Sequence, residues 1–219
     1  MKGYIASVAA RRLFVFLAAG AVIYAILSLA PGDPAQVILG KPAIYLYPQE
    51  ETEVFVNVNL AQGQFDVTEP ALGDGWRVTA RPDGVLTDET GQNWPYLFWE
   101  ASCSAQFDFS QGFVVPGRQA EEFLLLSLGK LGLNAQETAD FMEFWLPQLE
   151  ENPYNLIAFQ QQAYTDLARL EIDPAPDSLI RVFMAWKPID KPMEILPQPL
   201  QAPARQGFTV VEWGGSRVE

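Results

Sequence analysis

The chain contains no histidine and a single cysteine, Cys103, among 219 residues. The first absence excludes Ser-His-Asp and Cys-His catalysis within the chain, histidine-containing zinc sites and the usual neutral-pH proton shuttle. The second excludes an intrachain disulfide, so the fold must rest on its core. Cys103 itself reads as a small buried hydrophobe. Basic residues are scarce too, 14 against 27 acidic, for a formal net charge of −13. Three of the basic and one of the acidic residues lie in 1–40, leaving 11 basic and 26 acidic in 41–219. Such an acidic surface repels phosphates and anionic lipid heads, which argues against nucleic acid as a partner. No glycine-rich G-x-G-x-x-G or G-x-x-x-x-G-K turn is present to hold phosphates. Carboxylates, lysine, tyrosine or a bound metal are left to carry any chemistry, and neither a cofactor nor a metal site is expected.

The long apolar run that does occur is at the start, where Arg11 and Arg12 precede an uncharged stretch from Leu13 to Ala30. Its 18 residues would span roughly 27 Å as a helix, close to a bilayer's ~30 Å hydrocarbon core. Residues 13–30 therefore read as a single transmembrane anchor, with 1–12 cytoplasmic, 31–40 a linker and 41–219 one extracytoplasmic domain at the cell membrane. A cleaved signal peptide is the competing reading, although Asp33 stands two positions before Ala35, where a cleavage site after Ala35 wants a small residue. A buried helix is the third.

Beyond the linker, Glu53 to Leu60 alternates strictly and predicts a half-buried strand. Pro42–Tyr47, Gly75–Arg81, Trp94–Trp99 and Gln106–Val115 read as further strands, separated by turns at Pro82-Asp83-Gly84 and Asp88–Gln92. From Arg118 the period becomes helical, with Gly132 placed to close a first helix and Asn134 with Glu137 forming a capping-box start for a second. Pro147 should kink or end that second helix. Strands return at Leu156–Phe159, Leu167–Ile172, Leu179–Lys187 and Gly207–Trp213, with a proline-rich connection from Pro188 to Pro203. Strands, a helical insert at 118–150 and more strands predict an α+β domain, an antiparallel β-sandwich or bent sheet carrying a helical hairpin.

Glu100 and Glu212 each emerge among aromatic residues, where desolvation would raise a carboxylate pKa towards that of a general acid. Two facing carboxylates are the minimum for glycoside hydrolysis. Burial with a hydrogen-bonding partner is the simpler reading, and Arg181 is available to supply it. Glu100, Glu212, Arg181, Trp99 and Trp213 are accordingly the candidate ligand-binding residues, with no catalytic residue assigned. Ser127 and Lys130 fit S-x-x-K, but the serine lies inside an apolar helix and the companion S-D-N and K-T-G motifs are absent. Asp83, Asp88 and Glu89 lack EF-hand spacing, and turn chemistry accounts for them.

Two resemblances extend this reading. Leu29–Gly40, LAPGDPAQVILG, resembles the segment after the first transmembrane helix of peptide and nickel ABC-transporter permeases. It covers only the first forty residues, so it implies an N-in topology and carries over no transport activity. A join near Lys41 would then mark a gene fusion or a misassembled reading frame. KPAIYLYP (41–48), GWRVTARPDGVLTD (75–88), YLFWEA (96–101), FWLPQLEENPYNLIAF (144–159), PDSLIRVFMAWKPID (176–190) and RQGFTVVEWGG (205–215) resemble a family of uncharacterised bacterial proteins. That resemblance implies one domain and supplies no catalytic residue; Ala101 departs from its pattern, which has glycine there. The function expected is a membrane-anchored extracytoplasmic domain that binds an unknown ligand or envelope protein without catalysis. The alternatives are a carboxylate-dependent hydrolase acting on envelope glycan, and a cytosolic interaction protein with an accidental N-terminal fusion.

Overall fold

The computed structural model describes residues 36–218. The chain runs through β1 (Gln36–Tyr47), β2 (Thr52–Leu60), β3 (Gln64–Glu69), β4 (Trp76–Ala80), β5 (Leu86–Asp88), β6 (Asn93–Trp94), β7 (Leu97–Ser104) and β8 (Gln111–Pro116). Helices α1 (Ala120–Lys130) and α2 (Ala135–Glu150) follow as a hairpin. Then come β9 (Tyr154–Gln160), the short α3 (Gln162–Leu167), β10 (Ala168–Asp173), β11 (Ser178–Ile189), β12 (Leu196–Pro197) and β13 (Thr209–Arg217).

Strands make up 47% of the described residues and helices 20%, so the fold is mostly β rather than the α+β class expected. It is not purely antiparallel either. One sheet has eight strands in the order β12-β8-β9-β11-β13-β1-β7-β3, and β11 runs parallel to β13, as β12 does to β8. The second has five, β10-β2-β4-β5-β6. Alternation along the strands feeds two separate cores. Ile44, Leu46, Trp99 and Phe183 leave the large sheet to meet Val54, Val56, Val58 and Trp76 of the small one. Ala43, Tyr45, Val182, Met184 and Trp213 leave its other face to meet Leu124 and Leu128 of α1 and Phe141, Trp145 and Leu149 of α2. The result is three layers, in which the central strands are buried on both faces and read as near-continuous apolar runs.

The helical hairpin is specified locally. At the end of α1 the Leu133 N–H donates to the Leu128 carbonyl (3.0 Å) and Gly132 to Gly129 (3.2 Å), a Schellman closure in which Gly132 takes φ +94°. Asn134 then opens α2 with a full capping box to Glu137. Pro147 does not end α2, which runs on to Glu150. Fully or nearly buried Trp145 and Leu149 hold the helix on either side of the proline, and Asn152 and Asn155 donate to the carbonyls of Gln148 and Leu149 (both 2.8 Å). These contacts outweigh a proline penalty of about 3 kcal/mol. Within α1, Ser127 is buried while Lys130 is exposed, so the S-x-x-K pair forms no nucleophile.

Two expectations about the N-terminus need correction. Among the described residues no helix is long and apolar enough to cross a membrane, and the anchor expected at 13–30 lies outside them. The transmembrane element of the fold and the single-pass membrane localisation are therefore withdrawn. The linker expected at 31–40 also ends early, because β1 begins at Gln36 and Leu39 is fully buried in the core between the sheets. The last residues of the permease-like stretch are thus part of the domain.

The turn at Asp88 illustrates how local chemistry supports the small sheet. Its carboxylate accepts from the Thr90 hydroxyl (2.6 Å), the Trp94 indole (2.8 Å) and the N–H groups of Thr90 and Gln92 (2.9 and 3.0 Å). These bonds, the two side-chain donors foremost, hold its pKa down from 3.8 to about 2. Because the folded value lies below the unfolded one, the stabilisation is full above the unfolded value and is lost as pH falls through the folded one. The Trp94 indole N–H resonance should accordingly titrate with a midpoint near pH 2; a midpoint at the ordinary aspartate value would show that these bonds do not form in solution.

Candidate functional site

Glu212 sits on β13, the strand buried along nearly its whole length, and is itself 0% exposed. Parallel pairing of β11 with β13 sets Arg181 directly opposite it, and Arg181 Nε donates to Glu212 Oε2 at 2.6 Å. Trp99 Nε1 approaches the other oxygen at 3.3 Å. The Arg181 guanidinium also lies 4.6 Å from the centre of the Tyr164 ring, which stacks on Phe183 at 4.1 Å. Burial beside Glu212 pushes the Tyr164 hydroxyl well above its ordinary pKa, while the Glu212 charge keeps Arg181 protonated despite desolvation. This is a closed polar cluster between the two sheets. Glu212 and Trp99 are 0% exposed on the inter-sheet side, whereas Trp213, also 0% exposed, leaves the other face of the sheet into the hairpin-side core, and none of the three presents a face to a ligand.

Glu100 lies elsewhere. Trp99 and Glu100 are neighbours on β7, and strand alternation sends them to opposite faces of the sheet: Trp99 inward to Glu212, Glu100 towards the helical hairpin. A glycosidase pair needs both carboxyls on one sugar, about 5 to 10 Å apart. Glu100 and Glu212, separated by the sheet itself, do not form that pair.

Glu100 instead belongs to a cluster around Lys41, a residue not singled out from the sequence. Between Gly40↔Gly215 and Ala43↔Trp213 the pairing of β1 with β13 gains one residue on β1, a bulge at Lys41-Pro42. Gly214 faces it; a Cβ there would come within 3.0 Å of the Pro42 ring. Lys41 takes φ +58°, a left-handed conformation that costs a non-glycine residue of order 1–3 kcal/mol. Its backbone N–H donates to Glu100 Oε1 at 3.3 Å. The ammonium lies 4.8 Å from the centre of the Phe98 ring, 5.6 Å from Phe144 and 5.9 Å from Tyr96. Desolvation lowers the Lys41 pKa, against the pull of Glu100, Glu143, Glu69 and Asp140, and burial raises those of Glu100, Glu69 and Tyr96. Asp140 is held in place by the Tyr45 hydroxyl, which donates to it at 2.8 Å. The sequence did carry a signal for this site: a lone charge, followed by proline, interrupts the apolar run VILGKPAIYLY.

A second feature lies at the far edge of the large sheet. A groove of about 790 Å³ runs between β8, the outer side of α1 and the segment Met193–Pro197, lined chiefly by Phe113, Val115, Phe123, Leu126, Ile195 and Leu196. Leu126, Met193 and Leu196 are 61%, 52% and 68% exposed there. The segment forming its outer wall is tied down on its C-terminal side. Gln198 bonds the Phe159 backbone through both its amide atoms (2.8 and 2.6 Å), and Arg205 donates to the Gly132 carbonyl and to buried Glu137. Asp83, Asp88 and Glu89 assemble no metal site, and no cluster that could hold a metal ion occurs among the described residues.

No family model matches the chain, and no solved structure matches it. Over 62 residues it is 47% identical to a protein of Butyrivibrio fibrisolvens described as an uncharacterised protein in the bglA 3' region. The match takes in 27% of this chain and 64% of that relative, so the chain spans a little under two thirds of the relative's length.

The Arg181–Glu212 pair yields a direct test of its structural role. Glu212→Gln keeps an acceptor for Trp99 but leaves Arg181 charged and buried, and should destabilise the domain by about 3–5 kcal/mol in denaturant unfolding. Adding Arg181→Met should restore most of that loss, as expected when the penalty is an uncompensated charge. Two losses that simply add would show that the pair is not coupled.

Proposed function

We propose that this chain is a binding module without catalysis of its own, which takes an extended apolar segment of a protein partner into the groove between β8, α1 and residues 193–197. The observation that carries this reading is the coincidence of an apolar trough with an incompletely covered strand edge. On its outer side β8 pairs only at Gln111 and Gly112, with Leu196 and Pro197. Phe113–Pro116 have β9 on one side and no strand on the other among the described residues. An extended peptide can continue that edge by main-chain hydrogen bonds while alternate side chains drop towards Phe123 and Leu126.

The volume is in the range of small-ligand and peptide pockets. Exposed apolar side chains contiguous with it are the usual mark of an interaction surface. Glu122 and Glu194 flank the trough, and the chain's net charge of −13 favours a partner segment that alternates apolar with basic residues. The resemblance of residues 41–215 to uncharacterised bacterial proteins belongs to the same reading, as one domain with no assigned activity. The hydrolase alternative draws no support from Glu100 and Glu212, which lie on opposite faces of the sheet.

A short peptide of alternating valine and lysine serves as the probe. Titration calorimetry should register binding that weakens as salt is added, because part of the attraction is between exposed charges. Leu196 is 68% exposed, so Leu196→Glu should leave the fold intact and weaken the peptide by roughly ten-fold or more, as loss of an apolar anchor does. Equal affinity for the variant, or no binding by the wild type, would reject the groove as the binding site.

A further inference from the structure

We propose that Lys41 is a reactive amine that captures a neutral aldehyde or ketone as an imine, among the aromatic rings of Tyr96, Phe98 and Phe144. This site lies on the helical side of the sheet, around the bulge of β1, and is separate from the groove. Three independent features meet there: a left-handed backbone at a non-glycine residue, an ammonium among three aromatic rings, and no carboxylate within ion-pairing distance of that ammonium among the described residues. Strain and an undersatisfied charge concentrated on one residue are what functional sites retain and structural sites lose.

The surroundings define the ligand class. Glu69 from β3, Glu100 from β7, and Asp140 and Glu143 from α2 all act on Lys41, so an anionic ligand is repelled. A neutral carbonyl compound escapes that penalty, and an apolar, flat substituent could lie against Phe98 and Tyr96. Desolvation works against the four carboxylates to increase the share of free amine, the activation used by nucleophilic lysines in apolar pockets. The step balances without a further reagent. The amine nitrogen forms a bond to the carbonyl carbon, the carbonyl oxygen takes up both amine hydrogens and leaves as water, and nothing is oxidised or reduced.

The chain carries its own references, since Lys130 and Lys191 are exposed. Benzaldehyde with cyanoborohydride, which fixes an imine as a stable secondary amine, can be applied to the intact protein at neutral pH and followed by peptide mass mapping. Lys41 should be labelled roughly ten-fold faster than Lys130 and Lys191, the direction a desolvated amine takes. Labelling no faster than at the two exposed lysines overturns the proposal. A second arm turns on sign. Glu143 is exposed and its charge raises the Lys41 pKa, so Glu143→Gln should increase the free amine and accelerate labelling at Lys41 alone. A rate that is unchanged or lower in that variant is equally fatal to the idea.

Discussion

A carboxylate placed in the middle of a buried strand must be neutralised before the sheet around it can close. In this protein the strand is β13 and the carboxylate is Glu212, flanked by Val210, Val211 and Trp213, all at 0% exposure. Its partner arrives from β11, and only the parallel register Arg181↔Glu212 brings it alongside. A parallel pair cannot be joined by a tight turn. The chain therefore leaves β11 at Ile189, crosses the helical side with residues 190–208, and returns as β13. The crossing segment, its anchors at Gln198 and Arg205, and the groove wall it forms all follow from that one register. Buried ion pairs often contribute little net stability over an apolar pair. A slip by one residue would strand both charges, so the effect of this pair is to specify the register.

Individual elements, though not the fold class, are legible in the sequence, for reasons that can be stated residue by residue. Val54, Val56 and Val58 are buried while Glu53, Phe55, Asn57 and Asn59 between and beside them are not, because β2 is covered on one face only. Gly132 and Asn134 announce the hairpin because a left-handed closure and a capping box each demand particular residue types. What was not legible depends on tertiary context. Parallel pairing of β11 with β13 leaves no local mark in strands that are apolar on both faces. Pro147 is tolerated because Trp145 and Leu149 are clamped on both sides of it, which no single-sequence propensity weighs. The start of β1 at Gln36 was hidden by the resemblance of LAPGDPAQVILG to another kind of segment, although Leu39 is fully buried in this domain.

The candidate site was less legible than the fold. Glu100, Glu212, Arg181, Trp99 and Trp213 were singled out because acids among aromatic residues suggest perturbed chemistry, and the aromatic setting is real. Strand alternation could already have warned that Trp99 and Glu100 point to opposite faces, and hence that one acid could reach Trp99's partner and the other could not. The distinction of Lys41 is chiefly conformational. Its left-handed φ arises from an extra residue inserted opposite Gly214 and Gly215, and a bulge is a property of two strands together.

The two sheet faces thus carry different kinds of polar group, and the difference bears on where function can lie. Glu212 and Arg181 are paired between two sheets, where Phe183, Tyr164 and Trp99 close the cluster against solvent. Moving either residue would break the register on which the long crossing depends, so this cluster is poorly placed to respond to a ligand. Lys41 is only half-buried, its charge is opposed by carboxylates at a distance instead of being matched by one in contact, and its backbone is already displaced from the ladder. The β8 edge is likewise left open beside exposed apolar side chains. A paired charge holds the centre of this fold, and the more open polar and apolar groups lie at a bulge and an edge, where a change in occupancy need not disturb the core.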